Sequence, residues 1–228
     1  EGRLAELLCT YIPAVEKVEF STTGSEASLA ALRLARAITE REHVIVMQGG
    51  FNGSHSEIAC NVLTPLEQIG PRVSPGEYPY IRLGAGLPRA PEQLVHVINF
   101  NDLASVRYVC EKHPVAALIT EPILQNIGIV KPEDGYLEGL RTLADEFGFL
   151  LIFDEVMTSR FGRGGAHGEY GITPDLIALG KWIGGGMSFG GFYDRNQVDR
   201  PNLHPMTPLK VAHHPINRLK VHRRRQVC

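Results

Sequence analysis

Apolar and polar positions along this 228-residue chain sort into two kinds of segment, amphipathic stretches and unbroken apolar runs. Residues 3–12 carry apolar positions at helical spacing and predict a helix. "VEKVEFSTTGSEASLAALRLARAITE" predicts a short strand, a Ser/Thr/Gly turn and a long helix, with Leu29, Leu32, Ala35 and Ile38 on one face. "HVIVMQGG" predicts a buried strand closed by glycines. The Pro- and Gly-rich "NVLTPLEQIGPRVSPGEYPYIRLGAGLPRAPEQ" predicts a long loop, and such loops in compact domains are usually functional or mobile. Helices follow at "LASVRYVCEKH" and "LEGLRTLADEFG", strands at "VAALITEP", "FLLIFDEV" and "LIALGK", and "GGFYDR" adds a further strand. Strands written as continuous Val/Ile/Leu runs and alternating with helices belong to a mostly parallel sheet covered on both faces, an α/β fold.

Three polar residues, Glu121, Asp154 and Lys181, each follow an apolar run directly. In a parallel α/β sheet, ligands bind at the carboxyl ends of the strands, so all three point to one crevice. Each alone would merely begin a solvated loop. Three in register, two of them beside glycine-rich loops, favour a site. Glu155, next to Asp154, should face the other way if the segment is a strand.

The chemistry follows from the residue types. A lysine between a buried run and glycines can be desolvated, which lowers its pKa and makes a nucleophilic amine able to form a Schiff base. A carboxylate on a neighbouring strand can hold a pyridine nitrogen protonated. Pyridoxal phosphate needs both groups. Its phosphate needs a cradle, and Thr23, Gly24 and Ser25 directly precede a helix, where backbone N–H groups favour an anion. The same turn also reads as an ordinary capping box, Thr23 with Glu26 three residues on. Phe51, in "GGFNGSH", offers an aromatic wall for the ring, although by itself it reads as core.

Composition narrows the field. The chain is 43% hydrophobic and 21% charged, with a formal net charge of −2, so no global field recruits nucleic acid or an anionic membrane. No apolar run approaches the roughly 20 residues of a membrane span. Cys9, Cys60, Cys110 and Cys228 are scattered without a CxxC pair, so no metal site is expected and free thiols in a cytoplasmic protein are. The start at Glu1, already within a helical pattern, suggests a piece of a longer protein from which a targeting segment could be missing. Residues 194–228 hold scattered Pro and His and a basic run at Arg223, Arg224 and Arg225 without sustained period, and read as an irregular solvated tail.

With these residues assembled, the chain resembles the class III aminotransferases of the fold type I pyridoxal phosphate enzymes, and within them the glutamate-1-semialdehyde 2,1-aminomutases. The motifs that carry the resemblance are "STTGSEASLAALRLAR", "GGFNGSH", "SPGEYP", "TEPILQNIGIVKPEDGYLEGLRTLADEFGFLLIFDEVMT" and "TPDLIALGKWIGGGMSFGGF". They occur in family order over residues 1–193, which the resemblance marks as a partial cofactor-binding large domain. The family's C-terminal small domain, and a Gly-Thr motif whose threonine reaches a partner subunit, are not recognisable in 194–228; Thr207 lacks that context.

By the resemblance, Lys181 is the Schiff-base lysine and Asp154 the partner of the pyridine nitrogen. Val156 contacts one ring face and Phe51 stacks on the ring. Gly24 and Ser25, with Thr23 beside them, bind phosphate, and Glu121 and Asn126 are site positions of a Glu-Pro motif. Asn52 stands where histidine is usual after the aromatic residue, and Gln125 replaces a glycine. The implied function is pyridoxal phosphate-dependent transfer of an amino group, within one molecule as in the aminomutases or between two as in the aminotransferases. The implied partners are a small amino-acid or amino-ketone substrate and, in the intact family, a second copy in a homodimer. Two other readings remain. One is a truncated, catalytically weak paralogue that binds cofactor or another protein. The other is a nucleotide-binding α/β domain, disfavoured because no GxGxxG joins the first strand to its helix.

Overall fold

The structure is a computed structural model and describes residues 2–12 and 14–194; the tail expected over 194–228, with Thr207 and the arginine run, lies outside the described residues save Asp194. In chain order the elements are α1 (Gly2–Tyr11), β1 (Lys17–Ser21), α2 (Gly24–Thr39), β2 (His43–Met47), α3 (Leu66–Ile69) and β3 (Val95–Ile98). These are followed by α4 (Leu103–Lys112), β4 (Val115–Thr120), α5 (Tyr136–Phe147), β5 (Leu150–Asp154), α6 (Gly165–Tyr170), β6 (Leu176–Gly180) and β7 (Gly190–Asp194).

The seven strands form one sheet in the order β1-β7-β6-β5-β4-β2-β3. The β3, β2, β4, β5 and β6 strands are parallel neighbours, while β7 runs antiparallel to both β6 and β1. Two reversals leave β1 pointing the same way as β6, so the carboxyl ends of β1, β2, β4, β5 and β6 share one edge of the sheet. The core strands are buried on both faces: every residue of β4 and of β6 is buried.

One face packs against α2 and the other against α4 and α5. On the first, Ala27, Ala31, Leu32 and Ala35 of α2 meet Val44, Val46, Ile119 and Ile152. Leu29 and Ile38, expected on the buried stripe, are only half-buried. Small alanines, rather than the largest apolar residues, let α2 lie close to the sheet. On the second face Val106, Leu137 and Leu140 cover Ile45, Leu118, Leu151 and Phe153. A third cluster seats α1 through Leu8 and Ile12 against Val18, Ile177 and Leu179. Fully burying each Leu, Ile or Val of this kind contributes about 1.5–3 kcal/mol.

Three elements depart from the sequence expectation, one of them α6 in the glycine-rich stretch after β5. The long loop before residue 94 does contain the short helix α3, and directly after it comes β3, a strand absent from the sequence reading. The strand is short, and its second residue is His96, which interrupts the apolar run. The loop also lends the sheet a bridge, Tyr78 to Val97, which covers the outer edge of β3. No helix among the described residues is long and apolar enough to cross a membrane.

Candidate active site

The turn expected to hold phosphate is built by a helix start. Thr23, in extended conformation, caps α2 by accepting the Glu26 N–H at 3.1 Å, and the Glu26 carboxylate returns to the Thr22 N–H at 2.9 Å. The capping reading of this turn is therefore correct, and it leaves the anion reading intact. Capping engages the amides of Glu26 and Ala27, whereas those of Gly24 and Ser25 have no partner among the described residues. They lie at the positive end of a 16-residue helix. The Ser25 hydroxyl accepts the Ser54 N–H at 3.1 Å, joining the turn to the loop after β2.

Close packing fixes this corner. A Cβ at Gly24 would come within 2.7 Å of Val156, and one at Gly53 within 2.8 Å of the Ser28 hydroxyl. A Cβ at Gly190 would stand 2.0 Å from the Thr23 carbonyl, so β7 can pass beneath the turn only as glycine.

Asp154, the last residue of β5, is buried. One of its oxygens accepts the Val156 N–H at 3.0 Å and the other the Asn52 side-chain amide at 3.2 Å. Burial pushes its pKa up to about 6, while these two donors and the Lys181 charge act in the opposite direction. Glu121, just past β4, is buried as well and accepts the N–H groups of Phe51 at 3.1 Å and Gln125 at 3.2 Å. Burial first, and the Asp154 charge second, raise its pKa to about 7. Lys181 directly follows β6 with φ of 49°, a left-handed conformation that turns the chain at the strand end. Its charge reaches both carboxylates.

These groups border one cleft of about 120 Å³ at the carboxyl edge of the sheet. Thr23, Gly24, Ser25 and Phe51 line it on one side, and Glu121, Asn126, Asp154, Val156 and Lys181 complete it. Of the residues expected to bind the cofactor, Asn52 alone is not on its wall; it lies behind, donating its side-chain amide to Asp154. Gly53 and Met157 line the cleft without having been foreseen. Both flank residues that had been, and neither carries chemistry that would set it apart in a sequence. One expectation is corrected. Lys181 is exposed, not desolvated: the chain turns at the end of β6 and leaves it open to water.

Glu155 does turn away from the cleft, but into a fully buried site. Its carboxylate accepts the Thr158 hydroxyl at 3.1 Å and the N–H groups of Ala166 at 2.7 Å and His167 at 3.0 Å, and it pairs with His167 Nδ1 at 2.5 Å.

The family profile described as Aminotransferase class-III matches residues 1–205. A glutamate-1-semialdehyde 2,1-aminomutase of Roseiflexus castenholzii (strain DSM 13941 / HLO8) is 44% identical over 207 residues, covering 88% of this chain and 45% of the relative. Among solved structures, an omega-transaminase from Sphaerobacter thermophilus aligns with TM-score 0.77 and 32% identity over 86% of this chain and 44% of its own. A glutamate-1-semialdehyde-aminomutase from Pseudomonas aeruginosa PAO1 in complex with PMP aligns with TM-score 0.75 and 25% identity over 89% of this chain and 44% of its own. The chain thus spans less than half the length of the relatives it matches. Its mostly parallel sheet, its cleft at the strand ends and a profile match over most of its length lead to one placement: the chain belongs to the class-III aminotransferase family.

Proposed function

We propose that this chain forms the cofactor-binding part of a pyridoxal phosphate-dependent enzyme that transfers an amino group on a small amino acid or amino ketone. The observation that carries the reading is the cleft itself, in which a strand-end amine, a buried carboxylate and a helix start whose first two amides have no partner among the described residues face one small volume. The residues fit the group. Asp154 is a buried carboxylate whose hydrogen-bond partners among the described residues are two amide donors, with the Lys181 charge acting on it from the same cleft, and a protonated ring nitrogen would give it a close cationic partner. Among the relatives, the Pseudomonas aeruginosa aminomutase was solved with PMP.

In this reading Gly24, Ser25 and Thr23 hold the phosphate. Phe51 and Val156 bound the two faces of the ring, and Asp154, oriented by Asn52, keeps a proton on its nitrogen. Lys181 would hold the cofactor aldehyde through its amine, and that amine, once released, would take the proton from the substrate carbon that bears the amino group. Glu121 and Asn126 border the substrate side. When bound, pyridoxal phosphate supplies an electron sink that loosens a hydrogen on the carbon bearing the amine. Relatives named as aminomutases and as transaminases both match, so the transfer is within one molecule or between two.

The exposure of Lys181 favours a companion to this reading. Proton transfer at an amine open to water is poorly controlled, and Trp182 and Met187 beside it are exposed too, at 48% and 78%. We infer that a second copy of the whole protein closes the cleft, and that this span by itself binds cofactor but turns over little.

The test adds pyridoxal phosphate to the chain, reduces with borohydride and maps the pyridoxyl label. Label on the peptide holding Lys181 is expected; label on Lys131 or spread among lysines refutes the assignment. Amine-dependent turnover and sedimentation, measured beside it, separate a binder from an enzyme and a monomer from a dimer.

A further inference from the structure

At the opposite edge of the sheet, where the strands begin, three histidines converge. His43 opens β2, His96 is the second residue of β3, and His113 caps the end of α4 just before β4. Their sequence separations are too long to read as a motif. In space, one ring nitrogen from each lies within 4.8 Å of the others. The rings of His96 and His113 stand 4.2 Å apart, those of His43 and His113 4.9 Å.

The hydrogen bonds among them define tautomers. His96 Nδ1 lies 2.5 Å from one carboxylate oxygen of Glu77, whose other oxygen accepts the Ser74 hydroxyl at 2.7 Å. A neutral His96 therefore carries its proton on Nδ1 and presents the lone pair of Nε2 to the cluster. That lone pair lies 2.8 Å from His43 Nδ1. Burial and mutual repulsion hold His43 and His96 below the usual histidine range, which suits lone-pair donors rather than imidazolium. A carboxylate behind a histidine whose other nitrogen faces a shared point is the outer-shell arrangement of metal-bound imidazole. Three nitrogen donors at about 2.0–2.1 Å from an ion sit roughly 3.3 Å apart in tetrahedral geometry, within reach of small ring rotations here. His96 is buried, while His43 and His113 are half-buried, so a fourth position opens to water.

We propose that His43, His96 and His113 form a binding site for a divalent transition-metal ion of the zinc class, with Glu77 orienting His96. Neutral imidazole suits zinc, copper and nickel far better than magnesium or calcium. The ion would pin the edge strand β3 to β2 and to the α4–β4 turn, at the far end of the sheet from the cofactor cleft. The cysteine spacing gave no hint of it, because no cysteine takes part.

The experiment titrates zinc chloride, by calorimetry, into the full chain without an affinity tag after chelator treatment. His204, His213, His214 and His222 offer competing ligands, so a His213→Asn/His214→Asn variant is run in parallel. One ion per chain is expected, with affinity kept in that variant and lost by about 100-fold or more in His43→Asn and in His113→Asn. Glu77→Gln should weaken binding about 10-fold or more. Saturating zinc at about 100 times Kd should raise the unfolding midpoint by roughly 5–10 °C. X-ray absorption on the unaltered chain should count three imidazole nitrogens, a readout that stands even if a variant does not fold. No uptake by the folded chain, binding that persists in both single histidine variants, or a ligand set with sulfur or fewer than three imidazoles overturns the proposal.

Discussion

Asp154 and Glu155 are chain neighbours, both buried carboxylates, and the regions they serve could hardly differ more. Glu155 faces the packed loop behind β5, where four donors from Thr158, Ala166 and His167 meet its two oxygens. Asp154 faces the cleft with two amide donors and a pKa raised to about 6. One carboxylate is satisfied within the chain and fastens a loop. The other is left short of partners where a ligand can supply one. Burial alone does not distinguish structure from function; the number of committed donors does.

The sharpest way to break this contrast is at the cleft mouth. Lys181→Ala should abolish borohydride-fixed label at residue 181 altogether while leaving the fold intact, since the side chain is exposed; peptide mapping and circular dichroism check both halves. A fold lost with Lys181 would make that residue structural.

Glu155→Ala should act on stability. It strands two amides, a hydroxyl and a buried histidine, at a cost of about 3–5 kcal/mol. Urea unfolding measures it, and a loss below 1 kcal/mol would erase the difference drawn between the two acids. Glu155→Gln should cost less, because a side-chain oxygen still accepts.

Asp154→Asn should do the reverse, harming chemistry and helping the fold. In the cofactor-loaded protein, exchange of the substrate α-hydrogen should slow about 10²–10³-fold. In the cofactor-free protein the sign follows from linkage. A carboxyl whose folded pKa lies above its unfolded value binds more protons when folded, so its ionisation removes stability as pH rises from about 4 to about 6. Glu121, raised to about 7, extends the window upward. Asp154→Asn should therefore stabilise the cofactor-free fold by on the order of 1–3 kcal/mol at pH 8, and the gain should vanish near pH 4. Denaturant midpoints of both proteins across that range test it; a gain independent of pH would falsify the electrostatic account.

The smallest expected effect is at the phosphate turn. Thr23→Ala removes the cap of α2, about 1 kcal/mol by thermal unfolding, with a several-fold loss in cofactor affinity. Equal affinity in the two proteins would assign Thr23 to capping alone.

Much of the cleft was legible in sequence because it obeys a rule of topology. In a parallel sheet, whatever follows an apolar run lands on one edge, so Glu121, Asp154 and Lys181 had to meet. What stayed hidden depends on neighbours remote in sequence. The exposure of Lys181 follows from how the turn after β6 swings, not from its flanking glycines. The anchoring role of Glu155 needs amides eleven and twelve residues away. β3 escaped because a histidine breaks its apolar run, and the same histidine belongs to a cluster that only the pairing of β2 with β3 assembles.

The insertion of β7 between β1 and β6 orders events during synthesis. β1 has β7 as its strand partner, yet about 170 residues lie between them in the chain, so an emerging polypeptide must leave β1 waiting at the ribosome until Gly190–Asp194 follows. Thr23 leaves the end of β1, and Gly190 packs directly beneath it. The turn at Thr23 is thus made early and set late, taking its shape only once β7 has slid into the gap between β1 and β6.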